Sequence, residues 1–247
     1  MKYVYDDAEF YDLVTNYKTD DIDFIIEIAQ EYSGPILELA AGTGRIAIPL
    51  IERGFDYTGL DLSASFVKRA NKKIAQIKGK GEVLIGDMCD FKLKKLFKLI
   101  LLPFNSIFHL MSENVIESCL ACVYNHLQTD GIFLIDMFVP NKKYLMRDPN
   151  KFYPVGGDYE DSEGKAFILK ERTKYDPVTE INQIKAYAYY ENEDEPQVYN
   201  YEHYMIPPAR IQRILHEIGF TIDNIFGDYG KNIFSKESPL QIYLCSK

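Results

Sequence analysis

The feature that most constrains this chain is an alternation. Between Ile36 and Phe138, apolar strand-like runs take turns with runs of helical spacing. "PILELA" leads into "GRIAIPLIERG", and "YTGLDL" into "SASFVKRANKKIAQIKG". Then come "EVLIGD", "LILLPF", the helix-like "NVIESCLACVYNHLQ" and "GIFLIDMF". Strands so continuously rich in Ile, Leu and Val are covered on both faces, which predicts a parallel sheet flanked by helices. "DIDFIIEIAQEY" (Asp21 to Tyr32) adds a helix in front, after a Tyr-rich polar arm. Ser63 is placed to cap the second of the crossover helices. Pro49 falls several residues inside the first one and is predicted to bend it.

The pattern changes at about Asn141. From Phe152 to Met205 apolar residues alternate with period two, interrupted at "YDPVTE" and "ENEDEP", both turn signals. The helix "PPARIQRILHEIGF" follows, with Pro208 suited to its first turn. The last two strands, "TIDNIF" and "LQIYLCS", have no room between them for a crossover helix, so they form an antiparallel pair.

At 247 residues the chain has room for one large domain with a modest insertion. Its formal charge of -9 argues against nucleic acid, where most binding energy comes from Lys and Arg on phosphate. The lysines of "FKLKKLFKL" (Phe91 to Leu99) read as a solvated face. The N-terminal residues lack a signal-peptide pattern, and no apolar run approaches the roughly 20 residues that span a bilayer, so the expected location is cytoplasmic, off the membrane. Cys119 and Cys122 form a CxxC without a second pair, so they read as buried thiols. No cluster has metal-ligand spacing, and no metal is expected.

"ELAAGTGRIA" is a glycine-rich elbow between strand and helix, and Gly42, Gly44 and Ala47 match the dinucleotide spacing G-x-G-x-x-A. That match alone is weak. A nucleotide P-loop needs a Lys-Ser/Thr pair that is absent here. Three carboxylates point away from phosphate: Glu38 inside the strand before the elbow, Asp61 ending the next strand, and Asp87 ending the third. Asp61 serves the ribose of any adenosine cofactor equally well. Asp87-Met88, where a carboxylate can accept from an adenine amino group, and the antiparallel C-terminal pair favour a cofactor other than NAD.

Taken in order and spacing, "ELAAGTGR", "GLDLS", "GDM" and "PFNSIFHL" resemble the motifs of class I S-adenosylmethionine-dependent methyltransferases. The resemblance is nearest to small-molecule members, amino-sugar N,N-dimethyltransferases and glycine N-methyltransferases. They have an arm like "AEFYDL", an "SIxHL"-like stretch after the fourth strand and a β-rich insertion before the last helix. It implies an α/β, Rossmann-like fold: a seven-stranded mostly parallel sheet with helices on both faces and an antiparallel C-terminal strand. Residues 1–140 and 206–247 are expected to form the cofactor-binding domain, and residues 141–205 a small antiparallel β insertion serving as a substrate lid.

The resemblance also implies roles. S-adenosylmethionine is expected against Tyr11, Glu38, Ala40, Gly42, Gly44, Arg45, Asp61, Leu62, Asp87, Met88 and Pro103. Backbone at Ala40 and Gly42 takes its amino-acid end, and Arg45 is offered to its carboxylate. The acceptor, a small molecule with an amine or hydroxyl, is expected at Tyr17, Asn105, Phe108, Tyr199, Tyr201 and His203. His109 is the candidate base, with a packing role as its rival. "PFNS" departs from the N-P-P-[YF] loop of nucleobase-amine methyltransferases. The rivals are an NAD(P)-dependent oxidoreductase and a non-catalytic cofactor-binding module, and a homodimer is left open.

Overall fold

The computed structural model describes residues 2–247. The chain enters with a short strand, β1 (Lys2–Tyr3), and helix α1 (Ala8–Thr15), where Asp7 accepts the Phe10 N–H at 3.0 Å. The alternating segment then forms α2 (Asp20–Tyr32), β2 (Ile36–Leu39), α3 (Ala47–Glu52), β3 (Tyr57–Asp61), α4 (Ala64–Ile74) and β4 (Gly81–Ile85). It continues through β5 (Phe97–Leu102), α5 (Glu113–His126) and β6 (Leu127–Phe138). After the change of pattern come α6 (Lys142–Leu145) and four strands, β7 (Tyr153–Glu160), β8 (Ala166–Asp176), β9 (Ile181–Tyr190) and β10 (Gln197–Tyr204). α7 (Pro208–Ile218), β11 (Thr221–Phe226) and β12 (Leu240–Ser246) follow.

These elements make two compact units. The larger, residues 19–139 and 206–247, holds a seven-stranded sheet in the order β11-β12-β6-β5-β2-β3-β4. β2 to β6 run parallel, and β12 runs antiparallel to both β6 and β11. Strand order reverses at β2, which pairs with β3 on one side and β5 on the other. Ligands of open α/β sheets bind beyond the carboxyl ends of the strands at such a reversal. The core joins Ile36, Leu99, Leu101, Leu134 and Ile242 of the sheet to Ile25, Ile28, Ala47 and Leu50 of the helices. Each such Leu or Ile contributes about 1.5–3 kcal/mol on burial.

Local chemistry sets the boundaries. Ser63 caps α4, accepting the Phe66 N–H. Within α4, the Asn71 amide donates to the Val83 carbonyl at 2.7 Å and accepts the Val83 N–H at 2.9 Å. It thereby satisfies backbone on β4, the sheet's edge strand, as a neighbouring strand would. On β3 a Cβ at Gly59 meets Ala41 Cβ at 2.8 Å, so only glycine lets the elbow lie this close. The bend expected at Pro49 does not arise. The elbow extends through Arg45, α3 begins at Ala47, and Pro49 is its third residue, where a missing N–H breaks no intrahelical bond. Pro208 starts α7, and Gly219 ends it in the left-handed region.

The smaller unit, residues up to Lys18 together with 140–205, holds a five-stranded sheet in the order β1-β10-β9-β8-β7. β7 to β10 form the antiparallel meander that the period-two pattern predicts. The arm departs from expectation. β1 pairs in parallel with β10, Lys2 opposite Tyr199, and Phe10 of α1 stacks on the Tyr199 ring at 3.7 Å between centroids. Residues 2–18 therefore complete the small sheet and its core and lie outside the larger unit, to which the sequence reading assigns them. Among the described residues, no helix is long and apolar enough to cross a membrane.

Candidate active site

The elbow after β2 is fastened to the end of β3. Ala41 N–H reaches the Leu60 carbonyl at 2.9 Å, and Gly42 N–H reaches Asp61 Oδ2 at 2.8 Å. The other oxygen, Asp61 Oδ1, accepts the Ser63 N–H at 2.8 Å. Ala40, Gly42 and Gly44 have φ of 53°, 57° and 86°. The two glycines adopt the left-handed region freely, whereas at Ala40 it is strained, as is common at ligand sites. A carboxylate offers about four acceptor directions. Asp61 uses two on backbone and is only half-buried, which leaves directions for a pair of hydroxyls. Burial raises its pKa, and the Ser63 and Gly42 amides oppose the shift.

Arg45 finds a partner inside the protein. Its two terminal nitrogens each lie 2.7 Å from a carboxylate oxygen of Asp21, at the start of α2. The guanidinium also stands 4.9 Å over the Phe104 ring. Asp21 is fully buried, so the carboxylate offered to Arg45 by the sequence reading is the chain's own. Arg45 ties α2, the elbow and the loop after β5 together.

Glu38 is also redirected. It is buried within β2, and Tyr57 of β3 donates to it through a very short hydrogen bond. Burial pushes its pKa to about 8, against the opposing pull of the Tyr57 hydroxyl and Arg45. It is thus a neutral acid at physiological pH and supports the elbow from beneath. Because the folded value lies above the ordinary 4.5, the folded state holds the extra proton between these limits. Stability from this site is full below the ordinary value and falls as pH rises toward 8, by up to about 1.4 kcal/mol per unit. Glu38→Gln, isosteric with the neutral acid, should flatten that slope in urea titrations at about pH 5 and about pH 8. Equal slopes in both proteins would show that Glu38 is charged throughout.

At the ends of β3 and β4, Leu62 and Ile85 are exposed apolar side chains, 73% and 63% accessible. Ile85 pairs in register with Asp61. Together they give a flat apolar ligand somewhere to lie beside a carboxylate. Exposed Asp87 turns its carboxylate onto the Cys89 N–H at 2.8 Å, and Met88 beside it is half-buried. The loop after β5 is pinned to β6: Asp136 Oδ1 accepts the Phe104 N–H at 2.9 Å, and Asn105 Oδ1 accepts the Phe138 N–H at 2.7 Å. Phe104 and Asn105 are both left-handed. This corrects one acceptor candidate: Phe108 is fully buried edge-on against Phe138, while half-buried Asn105 spends its amide carbonyl on backbone. Pro103 is buried, while His109 ends the same turn half-buried.

Asp136 and Tyr229 escape a sequence reading. Tyr229, between β11 and β12, bonds to the Asp136 carboxylate, and its pKa is driven up by burial, then by Asp136 and Asp21. Tyr11, Tyr17, Tyr199, Tyr201 and His203 belong to the smaller unit. There Tyr199 is core, sandwiched by Phe10 with its hydroxyl donating to Asp7 at 3.2 Å, so it is no acceptor contact. Tyr17 is exposed and packs edge-on against Tyr159, and Tyr11 tilts against Tyr5. Tyr201 faces His203 at 5.1 Å on the same strand face.

Asp61 holds the elbow beside the neutral Glu38, and the Arg45 charge is already matched by Asp21. A pyrophosphate meets repulsion there, whereas a sulfonium and an ammonium are favoured. The unused acceptor directions of Asp61 suit a ribose diol, and Leu62 and Ile85 suit a purine face. Residues 36–131 match the model of the family described as "Methyltransferase domain". The chain carries a class I S-adenosylmethionine-dependent methyltransferase domain. A glycine/sarcosine N-methyltransferase of Aphanothece halophytica is 24% identical to this methyltransferase over 231 residues, covering 91% of this chain and 81% of that one. A dTDP-3-amino-3,4,6-trideoxy-alpha-D-glucopyranose N,N-dimethyltransferase of Streptomyces venezuelae is 25% identical, over 54% of this chain and 58% of its own. In fold, the CcbJ methyltransferase of Streptomyces caelestis superposes with a TM-score of 0.85 at 19% identity, covering 99% and 98% of the two chains.

Proposed function

We propose that this methyltransferase acts on the amine of a small-molecule acceptor. The observation that carries this is the loop after β5. Its Asn105 carbonyl is taken by the Phe138 N–H, and it lacks the N-P-P-[YF] pattern, so it does not present the hydrogen-bonding edge that a nucleobase amine needs. Net charge of -9 disfavours a nucleic-acid substrate for the same chain. The similarity to enzymes named for glycine, sarcosine and an amino sugar, all amines, supports the nitrogen. Four free thiols suit a reducing, cytoplasmic setting.

S-adenosylmethionine supplies an electrophilic methyl group on a sulfonium. The residues of this chain supply the rest. Asp61 takes the ribose hydroxyls, Leu62 and Ile85 the base, and backbone at Ala40 and Gly42 the amino-acid end. Asp87 accepts from the adenine amino group. His109 removes the proton that an ammonium acceptor must lose before its lone pair can attack. Alignment of the acceptor and exclusion of water provide most of the acceleration.

Calorimetry tests the cofactor side. The protein should bind S-adenosylmethionine and S-adenosylhomocysteine and ignore NAD and NADP. Asp61→Ala should weaken both by about 1–3 kcal/mol, the loss when buried hydroxyls lose a charged partner. Tight NAD binding with no affinity for S-adenosylmethionine refutes the assignment.

A further inference from the structure

Cys89, Cys119 and Cys122, from two distant stretches of sequence, meet at one place in the larger unit. Val115, Cys119 and Cys122 share one face of α5, at positions separated by one and two turns. Cys89, in the turn after β4, lies against that face. Its thiol donates to the Val115 carbonyl at 3.6 Å, and the Cys122 thiol donates to the Cys89 carbonyl at 3.2 Å. Cys119 follows Val115 by one helical turn, and helical side chains lean back over the turn before them. The Cys119 thiol accordingly reaches the Cys89 thiol and bonds to it.

The two thiols differ. Cys89 is half-buried between exposed Asp87 and Asp90, whereas Cys119 has no solvent exposure. The bond from Cys119 holds the Cys89 pKa below the ordinary thiol range, against burial and the Asp87 carboxylate. That same bond, then burial, pushes the Cys119 thiol up. Cys119 therefore keeps its proton and Cys89 is the one to lose it, giving up only a weak sulfur bond to Val115. A solvent-reached thiolate touching a second thiol is the arrangement that peroxides oxidise. Among the described residues, these thiols and their carboxylate neighbours are not arranged to hold a metal ion.

We propose that Cys89 and Cys119 are a peroxide-sensitive thiol pair that closes into a reversible disulfide. The Cys89 thiolate attacks hydrogen peroxide: an S–O bond forms, the O–O bond breaks and hydroxide leaves, so the sulfur is oxidised by two electrons to a sulfenic acid. The Cys119 sulfur then attacks the Cys89 sulfur. An S–S bond forms, the S–O bond breaks, and the hydroxyl leaves with the Cys119 proton as water. A dithiol restores both thiols by exchange. The new bond, about 2.05 Å long, draws the turn onto α5. Asp87 moves with it, because its carboxylate accepts the Cys89 N–H at 2.8 Å. Weaker cofactor binding follows, a consequence that rests on the reading of Asp87 at the adenine amino group. The CxxC looks inert in sequence because its third thiol is supplied only by the fold.

The test treats the whole reduced enzyme with hydrogen peroxide, caps remaining thiols with N-ethylmaleimide, and maps the digest by mass spectrometry. One intramolecular disulfide should join the Cys89 peptide to the peptide holding Cys119 and Cys122, and dithiothreitol should reverse it. Cys122→Ala should keep the link and Cys89→Ala should lose it. Cys119→Ala should stop at a sulfenic acid on Cys89, trapped by dimedone. If Cys119→Ala fails to fold, the other two variants still identify the pair. S-adenosylhomocysteine affinity should fall about tenfold on oxidation, the loss of one hydrogen bond, and recover on reduction. No disulfide, a link lost in Cys122→Ala, or a link between two molecules overturns the proposal. A disulfide with unaltered affinity supports the thiol pair and removes Asp87 from the adenine site. Failure of the reduced enzyme to bind S-adenosylhomocysteine refutes the cofactor assignment, while the mapped disulfide still decides the thiol pair.

Discussion

Arg45→Ala is expected to lower the unfolding free energy by about 3–5 kcal/mol, the cost of leaving a buried charge without its partner. The charge is Asp21, whose side chain has no solvent exposure and which receives both terminal nitrogens of Arg45 at 2.7 Å. Water cannot take over from the guanidinium there. The variant also removes the cation over the Phe104 ring and so loosens the loop that carries His109. Urea titration followed by far-ultraviolet dichroism measures the loss. The double variant Asp21→Leu, Arg45→Met removes both charges and should recover most of it, since apolar side chains of similar volume often replace buried ion pairs at little cost. If Arg45→Ala alone costs under about 1 kcal/mol, the pair behaves as an exposed one and does not organise the site.

His109→Ala and His109→Asn are expected to lower turnover by about 10²–10⁴, the contribution of a well-placed general base. His109 ends the turn after β5, beyond the carboxyl edge of the sheet and close to the point where strand order reverses. It is half-buried between fully buried Phe108 and nearly buried Leu110, an arrangement that restricts the ring while leaving part of it accessible. A base predicts that S-adenosylhomocysteine affinity and melting temperature change little while turnover collapses. A packing histidine predicts the reverse, lost stability with turnover per folded molecule preserved. Raising pH should restore activity to His109→Asn in part, because more of the amine acceptor is then already unprotonated.

The sheet was legible because parallel strands covered on both faces must be written in near-continuous Ile, Leu and Val, and the antiparallel ending followed from the short connection before Leu240. Glycine spacing marked the elbow, and the end of "GLDLS" marked Asp61, since both are local. The partners of these residues were not local. Asp21 lies at the start of a helix whose polar first turn looks like ordinary solvent-facing acid. Only the fold brings it to Arg45. Asp136 did leave a trace, a carboxylate inside the apolar run "LIDMF", the same signal that singled out Glu38 in "ILEL". The bend predicted at Pro49 failed because the elbow consumes residues through Arg45 that helical spacing alone assigns to α3. Tyr199 and Tyr201 sit two apart on one strand face, and no periodicity tells apart the one stacked under Phe10 from the one among polar groups.

The pairing of β1 with β10 has a consequence for how the molecule is made. Lys2 finds its place opposite Tyr199, so the first strand has no sheet to join until nearly 200 residues have been added. At translation rates of 5–20 residues per second, that is a wait of about 10–40 s. β11 and β12, which emerge later still, close the other sheet against β6. Each unit is built from two separated stretches of chain, one of them late. A ribosome stalled before residue 200 therefore displays Phe10 and the aromatic arm around it uncovered, a hydrophobic segment for chaperones to hold.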